Sequence, residues 1–258
     1  MSKPEHANIV EFEAFGDYAL FSDPVMRVGG EKCTYQIPTY EALKGILSSV
    51  YWKPTFIWYI DELRVMNPIQ MTTKGIRPIK YHGGNDLSYY AYLKNCRYRV
   101  RAHFEWNDNR PNLATDRNEN KHHNIAKRSI AKGGRRDVFL GTRECQAYVE
   151  PCAFDEGTGF YDEVEELDFG LMYYGLTYAD EAYSEETKGK MTAHFWYPKM
   201  KHGVVTFFRP EECPLHKTLR TMEQKSFDEE RSNFSGLKEF GGGDLNGSFT
   251  TSRDDLRC

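Results

Sequence analysis

The 258 residues contain no C-x-x-C pair, although six cysteines are present, at 33, 96, 145, 152, 213 and 258. A zinc ribbon needs paired ligands at short spacing, so that class of site is set aside. The scattered cysteines read instead as reduced thiols, several of them buried in strands. Long apolar runs are missing as well. They stop at five residues, as in Phe56-Ile57-Trp58-Tyr59-Ile60, whereas a membrane-spanning helix needs about 20. The opening MSKPEHANIV lacks the apolar stretch of a secretory signal. The expectation is a cytoplasmic chain without membrane contact. No internal repeat is apparent.

Charge of one sign is scarce in two places. Residues 155–186 hold eleven Asp or Glu and no Lys or Arg, whereas RNENKHHNIAKRSIAKGGRR, residues 117–136, holds seven Lys or Arg and one acid in a chain of net charge -4. A basic face argues for a polyanionic partner, and an acidic segment is usually a solvated surface. The 40% hydrophobic and 28% charged composition suits a globular protein with a real core. Length allows one large domain or two modest ones.

The segment ANIVEFEAFGDYALF alternates imperfectly and predicts a strand. Pro38-Thr39 opens a helix in which Leu43, Ile46, Leu47 and Val50 recur at helical spacing, and Pro54 ends it. TFIWYIDELRVM, rich in β-branched and aromatic residues, predicts the next strand. Between 67 and 90, prolines and glycines predict a loop or irregular hairpin. In YLKNCRYRVRAHFEW, Cys96, Tyr98, Val100, Ala102 and Phe104 alternate with polar neighbours. That predicts a half-exposed strand with Arg97, Arg99 and Arg101 on its outer face. A basic helix from about Lys121 to Ala131, stopped by Gly133-Gly134, and a strand in RECQAYVEPC complete a β-α-β-β-α-β order. The order predicts an α+β, ferredoxin-like (RRM-like) unit with helices on one face of a sheet, which alone decides no function. FGLMYYGLTY, MTAHFWYP and GVVTFFRP predict a small antiparallel extension, and the polar, glycine-rich sequence after about Glu223 a disordered tail. The expected boundaries are 1–152, 153–222 and 223–258.

With Asn118 or Asn120 as cap, Lys121, His122 and His123 occupy the first turn of the basic helix. His122, Ile125, Ala126, Ser129 and Ile130 then share one face, so His122 points inward and His123 elsewhere. Unpaired N–H groups and the dipole make such a helix start a natural phosphate site. The same positive end favours a neutral imidazole able to accept a proton, and Lys121 can stabilise negative charge on phosphorus. The plain alternative makes His122 a hydrogen-bonded packing residue among solvated cations. A third reading places a metal between the His pair and Glu119, against the divergent directions of adjacent helical side chains. Tyr51, in the last turn of the first helix, either caps the core with a wetted hydroxyl or presents its phenol to a substrate. Orientation or proton donation is then its part, since an ordinary tyrosine titrates at about pH 10. Lys127, Arg128, Lys132, Arg135 and Arg136 offer sequence-independent contacts to a nucleic-acid backbone, with nearby aromatics to stack unpaired bases. Arg97, Arg99 and Arg101 extend that surface if their strand face is open.

The segments FGDYALFSDP, GGEKCTYQIPTYEALKGI, VYWKPTFIWYIDELRVMNPIQ, DRNENKHHNI and KGGRRDVFLGTRECQAYVEPC resemble those of the type I-C (Dvulg subtype) CRISPR-associated proteins of the fifth Cas family, in the RAMP superfamily. The resemblance covers residues from about 8 to 220. It implies a ferredoxin-like RAMP domain with a β-rich C-terminal extension. It also implies a metal-independent endoribonuclease, without cofactor, that cuts the repeat hairpin of precursor CRISPR RNA. The enzyme then stays on the 5′ handle of the guide RNA with the other subunits of the type I-C surveillance complex (Cascade). The family's tyrosine in Y-W-K-P maps to Tyr51 and its Lys-His pair to Lys121 and His122, while His123 takes no role. The glycine-rich C-terminal loop of many RAMP proteins has no clear counterpart, and GGGD at 241–244 is a poor substitute. Under this resemblance His122 transfers the proton, Lys121 stabilises the phosphorane-like charge, and Tyr51 orients the nucleophile or aids departure. The products are a 2′,3′-cyclic phosphate and a 5′-hydroxyl. Two rivals remain. One is a non-enzymatic subunit that grips the 5′ handle while another protein cuts, as in most other fifth-family subtypes. The other is a metal-dependent DNA nuclease, which the shortage of acids in the cluster disfavours.

Overall fold

Alternation of apolar and polar side chains in three strands organises the chain, which a computed structural model describes over residues 7–24, 26 and 30–224. The strands are β1 (Val10–Ala19), β2 (Phe56–Val65) and, after the short β3 (Met71–Ile76), the long β4 (Ser88–Trp106). β4 lies between β1 and β2 and runs antiparallel to both. Val10, Phe12 and Ala14, then Phe56, Trp58 and Ile60, then Tyr98, Val100, Ala102 and Phe104 are all buried. With a period of two they fall on one face of the sheet.

Two helices cover that face. In α1 (Tyr40–Val50) the Thr39 hydroxyl accepts the Ala42 N–H at 3.2 Å, and Leu43, Ile46, Leu47 and Val50 are buried. In α2 (Glu119–Ala131) the buried residues are His122, Ala126, Ser129 and Ile130. Burying each large apolar side chain contributes about 1.5–3 kcal/mol, so packing rather than intrinsic propensity holds helices this short. After α2 the chain reverses at Gly133 and Gly134, with φ of 78° and 103°. Their N–H groups return to Ile130 O and Ser129 O at 2.9 and 2.8 Å. Only glycine takes such dihedrals without steric cost.

The larger sheet runs β5 (Val138–Phe139), β6 (Gln146–Pro151), β1, β4, β2, β11 (Val204–Thr206), β10 (Lys199–Lys201), β7 (Leu167–Asp168), with β3 paired to the outer end of β4. β8 (Met172–Thr177), β9 (Lys190–Trp196) and β12 (Leu215–Thr221) form a second sheet in the order β12-β9-β8. The three strands expected to make one small extension are thus divided. GVVTFF supplies β11, which pairs with β2, because Val205 is buried against the main core. Of the two readings of 67–90, the hairpin holds: β3 pairs with Ser88–Leu93 of β4. β12 carries no sequence signal: all seven of its residues are exposed, so it has no apolar face to betray its period.

The opposite face of the main sheet is polar, and it is not open. Register places Glu13 beside Arg99, and Glu11 and Glu62 beside Arg101. Arg97 reaches Glu13 at 2.7 Å, and Arg101 reaches Glu11, Glu62 and Asp155 at 2.8, 2.6 and 2.6 Å. Residues 153–162 cross over this row: Arg101 lies over the buried Phe154 ring, and Arg64 meets Asp162 at 2.8 Å. The condition on which Arg97, Arg99 and Arg101 would extend the basic surface, an open strand face, is therefore not met. These cations are neutralised from within, and the acidic stretch read as solvated surface supplies part of the counter-charge. Further along the same stretch, Glu181 holds Lys44 and Glu166 holds Lys199, each at 2.6 Å.

Cys33, Cys96, Cys145, Cys152 and Cys213 are free thiols, and burial pushes Cys96 up to about 11, which leaves it unreactive. No helix among the described residues is long and apolar enough to cross a membrane. The first compact unit ends at Glu223. Beyond residue 224 the expected tail, with its GGGD segment, and Cys258 lie outside the described residues.

Candidate active site

Pro54 keeps Lys53 out of the helical region, so α1 cannot continue. Its C-cap, Tyr51, turns to extended backbone (φ -158°, ψ 123°) while its N–H still reaches Leu47 O at 2.8 Å. The indole Nε1–H of Trp58 donates to the Tyr51 carbonyl at 2.8 Å and pins the turn. This sends the phenol under the start of α2. There Asn118 is the N-cap, its side chain accepting the Lys121 N–H at 3.0 Å. A 3-10 turn, Pro111–Asp116, leads into it.

His122 is 0% exposed, enclosed by the rings of Phe56, Phe104 and Trp106. Its Nδ1 lies 2.7 Å from Tyr51 Oη, and its Nε2 lies 2.7 Å from the Asp116 main-chain oxygen. A carbonyl can only accept, so Nε2 carries the hydrogen. In the neutral ring Nδ1 is then the acceptor, and Tyr51 donates its O–H to it. The tautomer is fixed by the fold. Burial first, then the Asp116 charge, push the Tyr51 hydroxyl up to about 12 against the opposing pull of Arg135. It remains a phenol at neutral pH.

Asp116 sits at the junction. Its Oδ1 takes Lys121 Nζ at 2.5 Å and its Oδ2 takes the Thr55 hydroxyl at 2.9 Å. Burial alone would raise this carboxyl, but the bonds from Lys121 and Thr55 and the nearby His122 together hold it below the ordinary aspartate value. Lys121, half exposed, marks the water side of the cluster, and Arg135 lies over the Tyr51 ring at 5.8 Å.

The structure therefore brings Tyr51, Lys121 and His122 together across 71 residues of sequence. It also differs from the expectation in two ways. Tyr51 is 1% exposed, and its hydroxyl is bonded to His122 rather than wetted. Lys121 is held by a carboxylate. His123 turns away, with Nε2 at 2.9 Å from Ile9 O, so the two imidazoles and Glu119 do not converge on a metal. Lys127, Arg128, Lys132, Arg135 and Arg136 are all exposed, and none joins an ion pair among the described residues. They form a basic rim along the outer side of α2 and the glycine turn after it. Sequence reasoning missed Asp116 and Thr55. The only available signal was an acid just ahead of the helix cap, which is common at helix starts and points to no particular partner.

Comparison with known proteins places the chain in a family. The profile of the Cas5d form of the CRISPR-associated protein (Cas_Cas5) family matches residues 9–208. A protein of Mannheimia succiniciproducens named CRISPR pre-crRNA endoribonuclease Cas5d is 26% identical over 77% of this chain and 94% of its own length. One of the same name from Thermus thermophilus is 29% identical over 67% of this chain and 75% of its own. A crystal structure described as a CRISPR-associated protein superposes with a TM-score of 0.67 at 34% identity, covering 81% of this chain and 96% of that one. On these matches, the chain belongs to the Cas5d family of CRISPR-associated proteins, the type I-C branch of the fifth Cas family.

Proposed function

We propose that this protein is a cytoplasmic, metal-independent endoribonuclease that cuts the repeat hairpin of precursor CRISPR RNA. It then stays on the 5′ handle of the guide RNA as a subunit of the type I-C surveillance complex. The observation that carries the chemistry is the hydrogen-bonded pair Tyr51 Oη and His122 Nδ1, 2.7 Å apart, behind a half-exposed Lys121. The names of the Mannheimia and Thermus relatives support the substrate. The order β6-β1-β4-β2, with one helix after β1 and the other after β4, supports a ferredoxin-like RAMP unit over 1–152; of the extension expected over 153–222, β8, β9 and β12 make a separate sheet while β7, β10 and β11 join the main one.

In the proposed reaction Tyr51 Oη takes the proton of the ribose 2′-hydroxyl as it passes its own to His122 Nδ1. The 2′-oxygen bonds to phosphorus, the bond from phosphorus to the 5′-oxygen breaks, and that oxygen takes a proton from the Lys121 ammonium, which water restores. His122 hands its extra proton back to Tyr51 Oη, which releases its own to water as the product leaves. No water molecule is incorporated, so the products are a 2′,3′-cyclic phosphate and a 5′-hydroxyl. A phenol that titrates near 12 suits a relay and not a standing base. Lys121 also stabilises the charge that builds on the non-bridging oxygens. An RNA phosphate that engages Arg135 and Lys121 draws both from their resting contacts and opens the way to Tyr51. Lys127, Arg128, Lys132 and Arg136 hold the adjoining backbone.

One observation favours a second reading. Tyr51 and His122 are sealed from water, as befits two packing residues in a subunit that only grips the 5′ handle. Repeat RNA incubated with purified protein in EDTA separates the two. The enzyme reading expects a cut with a cyclic phosphate end, lost in His122→Ala with little change in affinity. Tight binding of RNA that stays intact leaves the scaffold reading.

A further inference from the structure

Asp116 meets His122, Lys121 and Thr55, each through a different atom. Its main-chain oxygen accepts from His122 Nε2 at 2.7 Å, Oδ1 accepts from Lys121 Nζ at 2.5 Å, and Oδ2 accepts from Thr55 Oγ1 at 2.9 Å. Oδ2 also stands 3.5 Å from His122 Nε2. Thr55 is buried beside Phe56 at the start of β2, so the carboxylate is tied to the sheet as well as to the helix.

From this geometry we propose that Asp116 is a positioning residue for RNA cleavage, holding His122 in the tautomer that faces Tyr51 and stabilising the imidazolium formed when Tyr51 hands over its proton. The inference rests on the assignment of Tyr51, Lys121 and His122 to the reaction. The proton moves from Tyr51 Oη to His122 Nδ1, so both ring nitrogens then carry hydrogen, and the new positive charge lies beside a carboxylate that keeps its negative charge throughout. This is the part a buried aspartate plays behind a catalytic histidine elsewhere.

The charged and titratable groups around His122 are Tyr51 from the end of α1, Asp116 from the 3-10 turn and Lys121 and His123 from its own helix. Arg135 acts through Tyr51. The strands contribute only the rings of Phe56, Phe104 and Trp106. Among the described residues Asp116 is thus the one anion paired with the ring, and its removal is not masked by another.

The test compares wild type, Asp116→Asn, Asp116→Glu and His122→Ala in single-turnover cleavage of repeat RNA from pH 5 to 9, with RNA affinity measured in parallel. Asp116→Asn keeps the shape and the main-chain acceptor but removes the charge. The rate constant should fall by about 10- to 100-fold, affinity should change less than about threefold, and the inflection of the pH–rate profile should move to lower pH. Asp116→Glu should recover part of the rate. An Asp116→Asn protein with wild-type rate and profile, beside an inactive His122→Ala, overturns the role given to Asp116 and spares the site. An active His122→Ala overturns the site assignment itself. If Asp116→Asn does not fold, Thr55→Val serves, since it releases one carboxylate oxygen at constant charge. A several-fold slower cut supports the role, and an unchanged rate overturns it.

Discussion

Replacing Tyr51 by Phe removes one oxygen from the molecule and little else. The ring keeps its packing against Phe56 at 5.6 Å, and the Trp58 bond is to the main chain, so the turn after α1 is untouched. What disappears is the only donor to His122 Nδ1 seen in the structure, in a pocket 0% exposed. A buried acceptor left without a partner costs about 1–3 kcal/mol. For a chain of this size that is a fall in Tm of about 2–12 °C. Loss of the relay should slow cleavage by about 10²- to 10⁴-fold, while RNA affinity holds, because the basic rim is unaltered. Thermal unfolding and single-turnover cleavage in EDTA measure the two effects on one protein. A Tyr51→Phe variant as stable as wild type would show that the bond to His122 is not made in solution. A variant of lowered stability but normal rate would assign the pair to packing alone.

Three further outcomes test other parts of the structure. Lys127→Gln with Arg128→Gln should weaken RNA binding and reduce the slope of log affinity against log salt by about 1.4, with no change in Tm, as two lost contacts to single-stranded phosphates require. An unchanged slope removes the outer side of α2 from the RNA path. Arg101→Leu should lower stability by about 2 kcal/mol in urea unfolding, because it removes the guanidinium shared by the partly buried Glu11 and Glu62, while Asp155 is already in water. RNA affinity should not move, and a large loss of binding would reopen that face as a nucleic-acid surface. His194, bonded to the Thr177 hydroxyl at 2.9 Å, is pushed down to about 4 by burial and then by nearby His216. A folded-state value below the unfolded one gives stability that is present above pH 6.5 and lost as pH falls toward 4. The loss is about 3 kcal/mol at most. His194→Gln should flatten this limb of the stability profile, and an unaltered limb assigns it to other groups.

The local order of the chain was set by its sequence. Leu43, Ile46, Leu47 and Val50 recur at helical spacing and Pro54 follows, so α1 and its end need no information from elsewhere. The alternation of Cys96 to Phe104 likewise assigns each side chain of β4 to a face, and the inward direction of His122 follows from its spacing to Ala126 and Ile130. The fate of those faces was a tertiary matter. Arg101 finds Glu11, Glu62 and Asp155 at separations of 90, 39 and 54 residues, and only strand register and the crossing of residues 153–162 decide that it meets carboxylates. In the same way Tyr51 and Asp116 reach His122 from two other elements, and burial there fixes which ring nitrogen holds the hydrogen. Periodicity is a property of neighbours along the chain, whereas charge compensation and tautomer depend on which distant groups close packing brings within about 3 Å.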